Sequence, residues 1–276
     1  METEICITPK GPGPDLKALW RYRDLIWLLT RRSFVVRYKQ TVLGPAWLLL
    51  QPLLSAAMYA LVFGGIAGLD TEGVPKLLFY LTGNGLWAFF SGCVTGNAAV
   101  FVQNAAVFGK VYFPRLVVPV SNLLSSGIQL AIQLGLVGAC LLIYLPGGQV
   151  TPHWLFWPLI PLAAVQLGLL GMGVGTAVSA LTTRYRDLQV LVGFGMQMWM
   201  YATPIVYPLS AAEGVLGNLL RFNPATAPVE LIRYALLGQG TLDWGSYGLS
   251  LLVSLGAAAL GAGLFSRVER TFLDTV

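Results

Sequence analysis

Charge is what this sequence has least of. Only 11% of its 276 residues are Asp, Glu, Lys or Arg, while 56% are hydrophobic; an ordinary soluble domain carries roughly 25% charged residues. The scarcity is uneven. No charged residue occurs between Lys39 and Asp70, from Leu77 to Gly109, or from Leu116 to Thr183. A soluble fold cannot keep such lengths out of water, so the composition belongs to an integral membrane protein.

Other absences narrow the chemistry. Histidine occurs once, as His153 beside Trp154 and Trp157, which suits an interfacial side chain and leaves a metal ion without companion ligands. The three cysteines, Cys6, Cys93 and Cys140, form no CxxC and stand in different segments, so neither a zinc site nor a disulfide framework is expected. The start, "METEICITPKGPGPDLKALW", lacks the basic tip and apolar core of a cleaved signal. No GxxxxGK[ST] phosphate loop is present, and no acid or base lies at the centre of an apolar run. Ion-coupled transport normally puts one there. If the chain drives transport, another chain supplies the energy.

The net charge of +5 does not point to nucleic acid, because the cations border apolar runs and form no basic face with base-reading aromatics. About 20 apolar residues cross a bilayer, and the runs divide into six spans, at about 45–69, 77–102, 118–145, 154–181, 188–207 and 244–266. "YLPGGQVTPHW" marks a tight hairpin between the third and fourth. A chain exit into water is expected after 102. The face with the N-terminal stretch, Lys110, Arg115, Arg184, Arg186, Arg267 and Arg270 takes all but three of the 17 Lys and Arg; Lys76, Arg221 and Arg233 lie on the other. Both termini are therefore expected in the cytoplasm.

Around the spans, residues 1–15 read as a flexible cytoplasmic tail, 16–40 as an amphipathic helix in the inner interface, and 267–276 as a second cytoplasmic tail. In the helix, Leu19, Tyr22, Leu25, Ile26, Leu29 and Val36 make an apolar stripe; an ordinary cytoplasmic helix against a partner fits the same spacing. Residues 209–240 are too apolar for a solvated loop and too short in their helical pieces to cross, so two re-entrant helices in the outer leaflet are expected.

Five motifs, in order, resemble one family. "RRSFVVRYKQTVLGPAWLLLQPLLSAAMYALVFG", "GKVYFPRLVVPVSN", "TRYRDLQ", "TPIVYPLS" and "RFNPATAPVELIRYALLGQG" look like the first span and successive turns of permease subunits of type-2 ATP-binding-cassette exporters, in the branch that exports surface polysaccharides. The resemblance implies a homodimer of six-span subunits in a bacterial inner membrane. Each subunit would be seated on a separate ATPase subunit, present in two copies, that binds ATP and Mg, while this chain binds no cofactor and is no enzyme. The cargo would be an undecaprenyl-linked glycan (O-antigen, capsule or teichoic-type) among membrane lipids. An exporter of a lipid or drug-like molecule is the alternative within the superfamily, and a membrane-embedded enzyme or scaffold the one outside it.

Site residues follow from the motifs and the resemblance together. Lys110, Phe113, Pro114 and Arg115, with Arg184, Arg186 and Asp187, would meet the ATPase in the inner turns, with Phe113 as an aromatic knob; positive-inside anchoring explains the cations alone. Trp47, Trp87, Phe89, Phe90, Trp199 and Tyr201 would pack on sugar faces along the pathway, with Gln197 as a polar neighbour; packing and interfacial belts use the same residue types. Arg31, Arg32, Arg37 and Lys39 would attract the lipid pyrophosphate, which arginine binds as a fork; anchoring again serves as well. Pro204, Pro208, Asn223 and Pro224 would hinge the outer gate, or simply punctuate the chain. Two GxxxG spacings, Gly171/Gly175 and Gly64/Gly68, suit close helix contact, including a dimer contact.

Overall fold

The computed structural model describes residues 16–39, 42–108, 113–182, 185, 187–212 and 214–272. Among them every regular element is helical. The chain opens with a short α1 (Leu16–Arg21) and α2 (Arg23–Tyr38). Next comes α3 (Trp47–Tyr59), preceded by a 3-10 turn at Gly44–Ala46 and continued by a wider π-helical stretch, Ala60–Ile66. α4 (Lys76–Ala98), α5 (Val100–Phe108), α6 (Val117–Tyr144) and α7 (Leu159–Thr182) follow. The last four are α8 (Leu188–Tyr201), α9 (Gly214–Phe222), α10 (Thr226–Leu237) and α11 (Trp244–Phe272).

Five helices are long and apolar enough to cross a membrane: Gly44–Ile66, Lys76–Ala98, Val117–Gly147, Leu159–Thr182 and Trp244–Val268. The expected fifth span, 188–207, differs. α8 stops at Tyr201 after 14 residues, about 21 Å of rise against a hydrocarbon core of about 30 Å. Residues 202–208 run on as turns ahead of Pro208.

The bundle is built around α4, whose Leu78, Tyr80, Leu81, Leu86 and Phe90 are buried against α6, α7 and α10. α7 lies between α4 and α11, and small residues make this possible. A Cβ on Gly175 would stand 2.6 Å from the Val94 carbonyl oxygen, and one on Gly173 2.5 Å from the backbone of Ala257. The Gly171/Gly175 spacing therefore serves packing of α7 on α4 within one chain. Lys76, counted in the sequence only as an outer cation, donates to the Gly64 carbonyl at the widened end of α3, where the π-helical path leaves acceptors free.

Two expected boundaries move. The second span breaks at Ala99, where Asn97 turns inward and accepts a 3.2 Å hydrogen bond from Asn122. Beyond the break α5 continues to Phe108, with Val100, Phe101 and Phe108 buried and Val102 and Gln103 exposed. Likewise α7 starts at Leu159 and not 154, because Pro158 suits the first turn of a helix and Trp154–Phe156 form a separate 3-10 turn.

Candidate functional site

Three places gather the residues that the sequence marks. The first is the C-terminal end of α8, where a helix end inside an apolar protein leaves carbonyls that need donors. Side chains supply them. Thr203 Oγ1 donates to the Trp199 carbonyl at 2.9 Å and Tyr207 to that of Tyr201 at 2.7 Å. Asn223, in the turn between α9 and α10, donates from Nδ2 to the Ala202 carbonyl at 2.7 Å and to Thr203 Oγ1 at 2.9 Å; its Oδ1 accepts the Trp199 indole N–H at 3.0 Å and the Ala225 N–H at 3.1 Å. Arg233 of α10 donates to the carbonyls of Pro204 and, at 2.7 Å, Ile205. Pro204 and Asn223 thus belong to one junction, Pro204 bonded by Arg233 and Asn223 by its neighbours Ala202 and Thr203; the Pro224 carbonyl accepts from Ser250 of α11, which in turn accepts from Gln166 of α7 at 2.8 Å.

The sequence reading missed Glu230 and Arg233. Both are buried, and they pair at 3.5 Å across one turn of α10. The signal was there in "VELIRY", an acid and a base three residues apart in an apolar helix. His153 was undervalued too. Its Nδ1 lies 3.1 Å from the Tyr234 carbonyl, its ring stacks on that of Tyr234 at 4.2 Å, and Trp157 donates to the Ala235 carbonyl. The hairpin between α6 and α7 thereby closes the C-terminal end of α10.

The second place is the exposed surface of α3 and of α8, which touch through Tyr59 and Met200. Trp47 and Gln51 on α3, and Gln197 and Tyr201 on α8, are exposed. The other expected pathway aromatics are elsewhere. Trp87, Phe89 and Phe90 are buried inside the chain because α4 is the central helix, and their rings serve its core. Trp199 is half-buried, edge-on to Phe90 at 5.1 Å, with its N–H taken by Asn223.

The third place is the approach to α6, residues 113–116. Phe113 is not an exposed knob: it is buried with Phe101, Phe108, Phe265 and Ile26. Phe101 stacks on Phe265 at 4.4 Å, Phe108 meets Phe113 at 5.8 Å, and the Arg115 guanidinium lies 5.2 Å from the Phe108 ring centroid. Apolar contact with α2, α5, α6 and α11 draws the ring in, so one cluster ties this turn to four helices. Pro114 is half-buried beside it and Asp187 is exposed; Lys110, Arg184 and Arg186 lie outside the described residues.

The N-terminal stripe also turns inward. Ile26 is buried, Leu19, Tyr22, Leu25 and Leu29 pack against the same cluster, and Thr30 and Ser125 bond α2 to α6. Val36 is exposed instead, with Trp20, Trp27 and Leu28. Arg31, Arg32 and Lys39 are exposed near them; the Arg37 side chain lies outside the described residues.

Among the described residues, five helices of membrane-crossing length, the central apolar α4 one of them, and no strand define an all-α multi-pass integral membrane protein. Residues 24–237 match the family described as ABC-2 type transporter, and the chain belongs to that family. Two curated relatives from Klebsiella pneumoniae, each named O-antigen export system permease protein RfbA, are 26% identical over 251 residues, 91% of this chain and 94% of theirs. A relative of the same name from Myxococcus xanthus is 28% identical over 211 residues, 76% of this chain and 78% of its own.

Proposed function

We propose that this chain is the transmembrane half of an ATP-driven exporter that moves undecaprenyl-linked polysaccharide from the cytoplasmic to the outer side of a bacterial inner membrane. A second copy completes the pathway, and a separate ATPase subunit on each copy binds ATP with its Mg and hydrolyses it. The observation that carries the reading is the exposed surface of α3 and of α8. Amides at Gln51 and Gln197 are exposed on helices whose other outward residues are apolar, and an amide facing hydrocarbon has no partner. A water-filled lumen between two copies gives it one. Trp47 and Tyr201, exposed on the same two helices, offer ring surfaces to sugar C–H groups without requiring a fixed hydroxyl pattern, which suits a sliding polymer.

The relatives' names agree with this cargo and support it over a lipid or drug-like molecule. α8 with its exit is the fifth of six crossings, α9 and α10 are the re-entrant outer pair, and both termini are cytoplasmic. The aromatic cluster at Phe113 passes the ATPase stroke to α2, α5, α6 and α11, while Arg31, Arg32, Arg37 and Lys39 hold the lipid pyrophosphate beside α2 before it enters.

Depleting the protein in its host tests the cargo. Lipid-linked glycan should accumulate inside while surface polysaccharide falls; normal levels of both pools under confirmed depletion would sink the reading. Exchanging Arg31 and Arg32 together for glutamine separates phosphate capture from anchoring. Normal insertion with export lost is the outcome expected, and normal export would refute the phosphate role.

A further inference from the structure

The charged pair buried in α10 is not something that packing requires. Apolar side chains of similar volume hold a core as well as a buried ion pair does, and such a pair is best explained where it fixes one arrangement among alternatives. Arg233 has the geometry for that. Its two terminal nitrogens donate to successive carbonyls, those of Pro204 and Ile205, and its guanidinium carbon lies 4.1 Å from the Phe79 ring centroid on α4. The distance to Glu230 is 3.5 Å, long for a charge-assisted bond. The guanidinium is thus held more closely by the backbone of another element than by its own counter-ion. α4 is cut to receive it: a Cβ at Gly83 would fall on Arg233 Nη2 and 2.8 Å from the Ile205 carbonyl oxygen. One side chain therefore joins α4, α10 and the exit of α8.

We propose that Arg233 is the positioning residue that latches the outer end of α8 to the outer segment, and that the pathway opens outward when this fork withdraws from the Pro204 and Ile205 carbonyls. The inference rests on the export reading above and adds the bonds that break. In the latched state the fork satisfies two carbonyls where water is excluded. In the released state an open pathway admits water, which hydrates both the carbonyls and the guanidinium, so one set of partners replaces another. Two arrangements that each satisfy the fork's terminal nitrogens and the two carbonyls are what a switch of this kind needs. A lysine, with its donors on one nitrogen and no planar fork, holds the two carbonyls less firmly.

The test uses the permease assembled with its ATPase, with Cys6, Cys93 and Cys140 changed to alanine and spin labels on Ala67→Cys and Leu216→Cys, both exposed positions. The parent should show one distance without nucleotide and a second with a non-hydrolysable ATP analogue. Glu230→Gln with Arg233→Met removes the pair without stranding a charge. It should melt like the parent, show the second distance without nucleotide, and lose export. A merely structural pair would leave the double variant with the parent's distances and its export, which would overturn the proposal. If the double variant fails to assemble, Arg233→Lys replaces it: it keeps the charge and should populate the second distance partly, and an unshifted distribution overturns the latch. The distances do not depend on cargo. A parent that exports no glycan refutes the cargo while leaving the latch measurable.

Discussion

At Asn223 one amide uses both of its ends to hold four partners from three stretches of chain. Asn223→Ala strands the Trp199 indole N–H in a half-buried site, at about 1–3 kcal/mol for a group left unpaired, while the Ala202 carbonyl it also releases is exposed. A loss of about 1–3 kcal/mol is expected, read as a lower melting temperature of the detergent-purified protein. Asn223→Asp keeps the acceptor and loses the donor, so its fall should be smaller; an alanine variant that melts like the parent would remove Asn223 from this role. Residue identity carried part of this, because an asparagine before proline in a turn announces local capping. The aromatics were harder to read. Trp47 and Tyr201 are exposed while Trp87, Phe89 and Phe90 are buried, and nothing in a run that is apolar on every side says which face looks inward. Burial there is decided by which helix becomes central, a property of the whole bundle.

Elements were legible wherever a local property defines them. Charge-free length marks a span, so the five long helices stand close to the expected runs, and Pro and Gly mark the hairpin after α6. Ends inside apolar sequence were not legible. α8 stops at Tyr201 and α4 at Ala98 because Asn223, Arg233 and Asn122, distant in sequence, take the polar groups that a break exposes. The start of α11 is a locally encoded end. Asp243 Oδ1 accepts the Gly245 N–H at 3.0 Å, and Oδ2 accepts the Ser246 hydroxyl at 2.6 Å and its N–H at 3.3 Å. The Ser246 hydroxyl first, then the two backbone N–H groups, hold the Asp243 carboxyl below its ordinary value of 3.8. A lowered folded value means that the cap stabilises the helix above the unfolded value and is lost as pH falls through the folded one. Amide exchange in the first turn of α11 should therefore be slow at neutral pH and speed up, beyond the intrinsic rate change, only below 3.8. Asp243→Ala should exchange fast at both, and equal protection in parent and variant at neutral pH would refute the cap.

For the molecule as a whole, the number of crossings decides where its ends lie, and α8 decides the number. Five crossings would put the termini on opposite sides of the membrane, six on the same side. α8 alone falls about 9 Å short of the hydrocarbon thickness. The missing distance can be spanned by residues 202–208 only if their backbone is satisfied without water and shielded from lipid. Both conditions are met: the carbonyls of Ala202, Pro204 and Ile205 are bonded by Asn223 and Arg233, and residues 203–206, 208 and 209 are buried. Positive charge argues the same way, since Arg267 and Arg270 at the C-terminal end match the Lys and Arg of the N-terminal stretch. Both observations support the six crossings proposed above. A fluorescent protein that matures only in the cytoplasm should shine when fused to either end. A membrane-impermeant maleimide should label Ser210→Cys from outside in whole cells, in a background without the native cysteines. A dark C-terminal fusion, with Ser210→Cys labelled only after the inner membrane is opened, would mean that α8 turns back on the cytoplasmic side and that the outer segment is not outer at all.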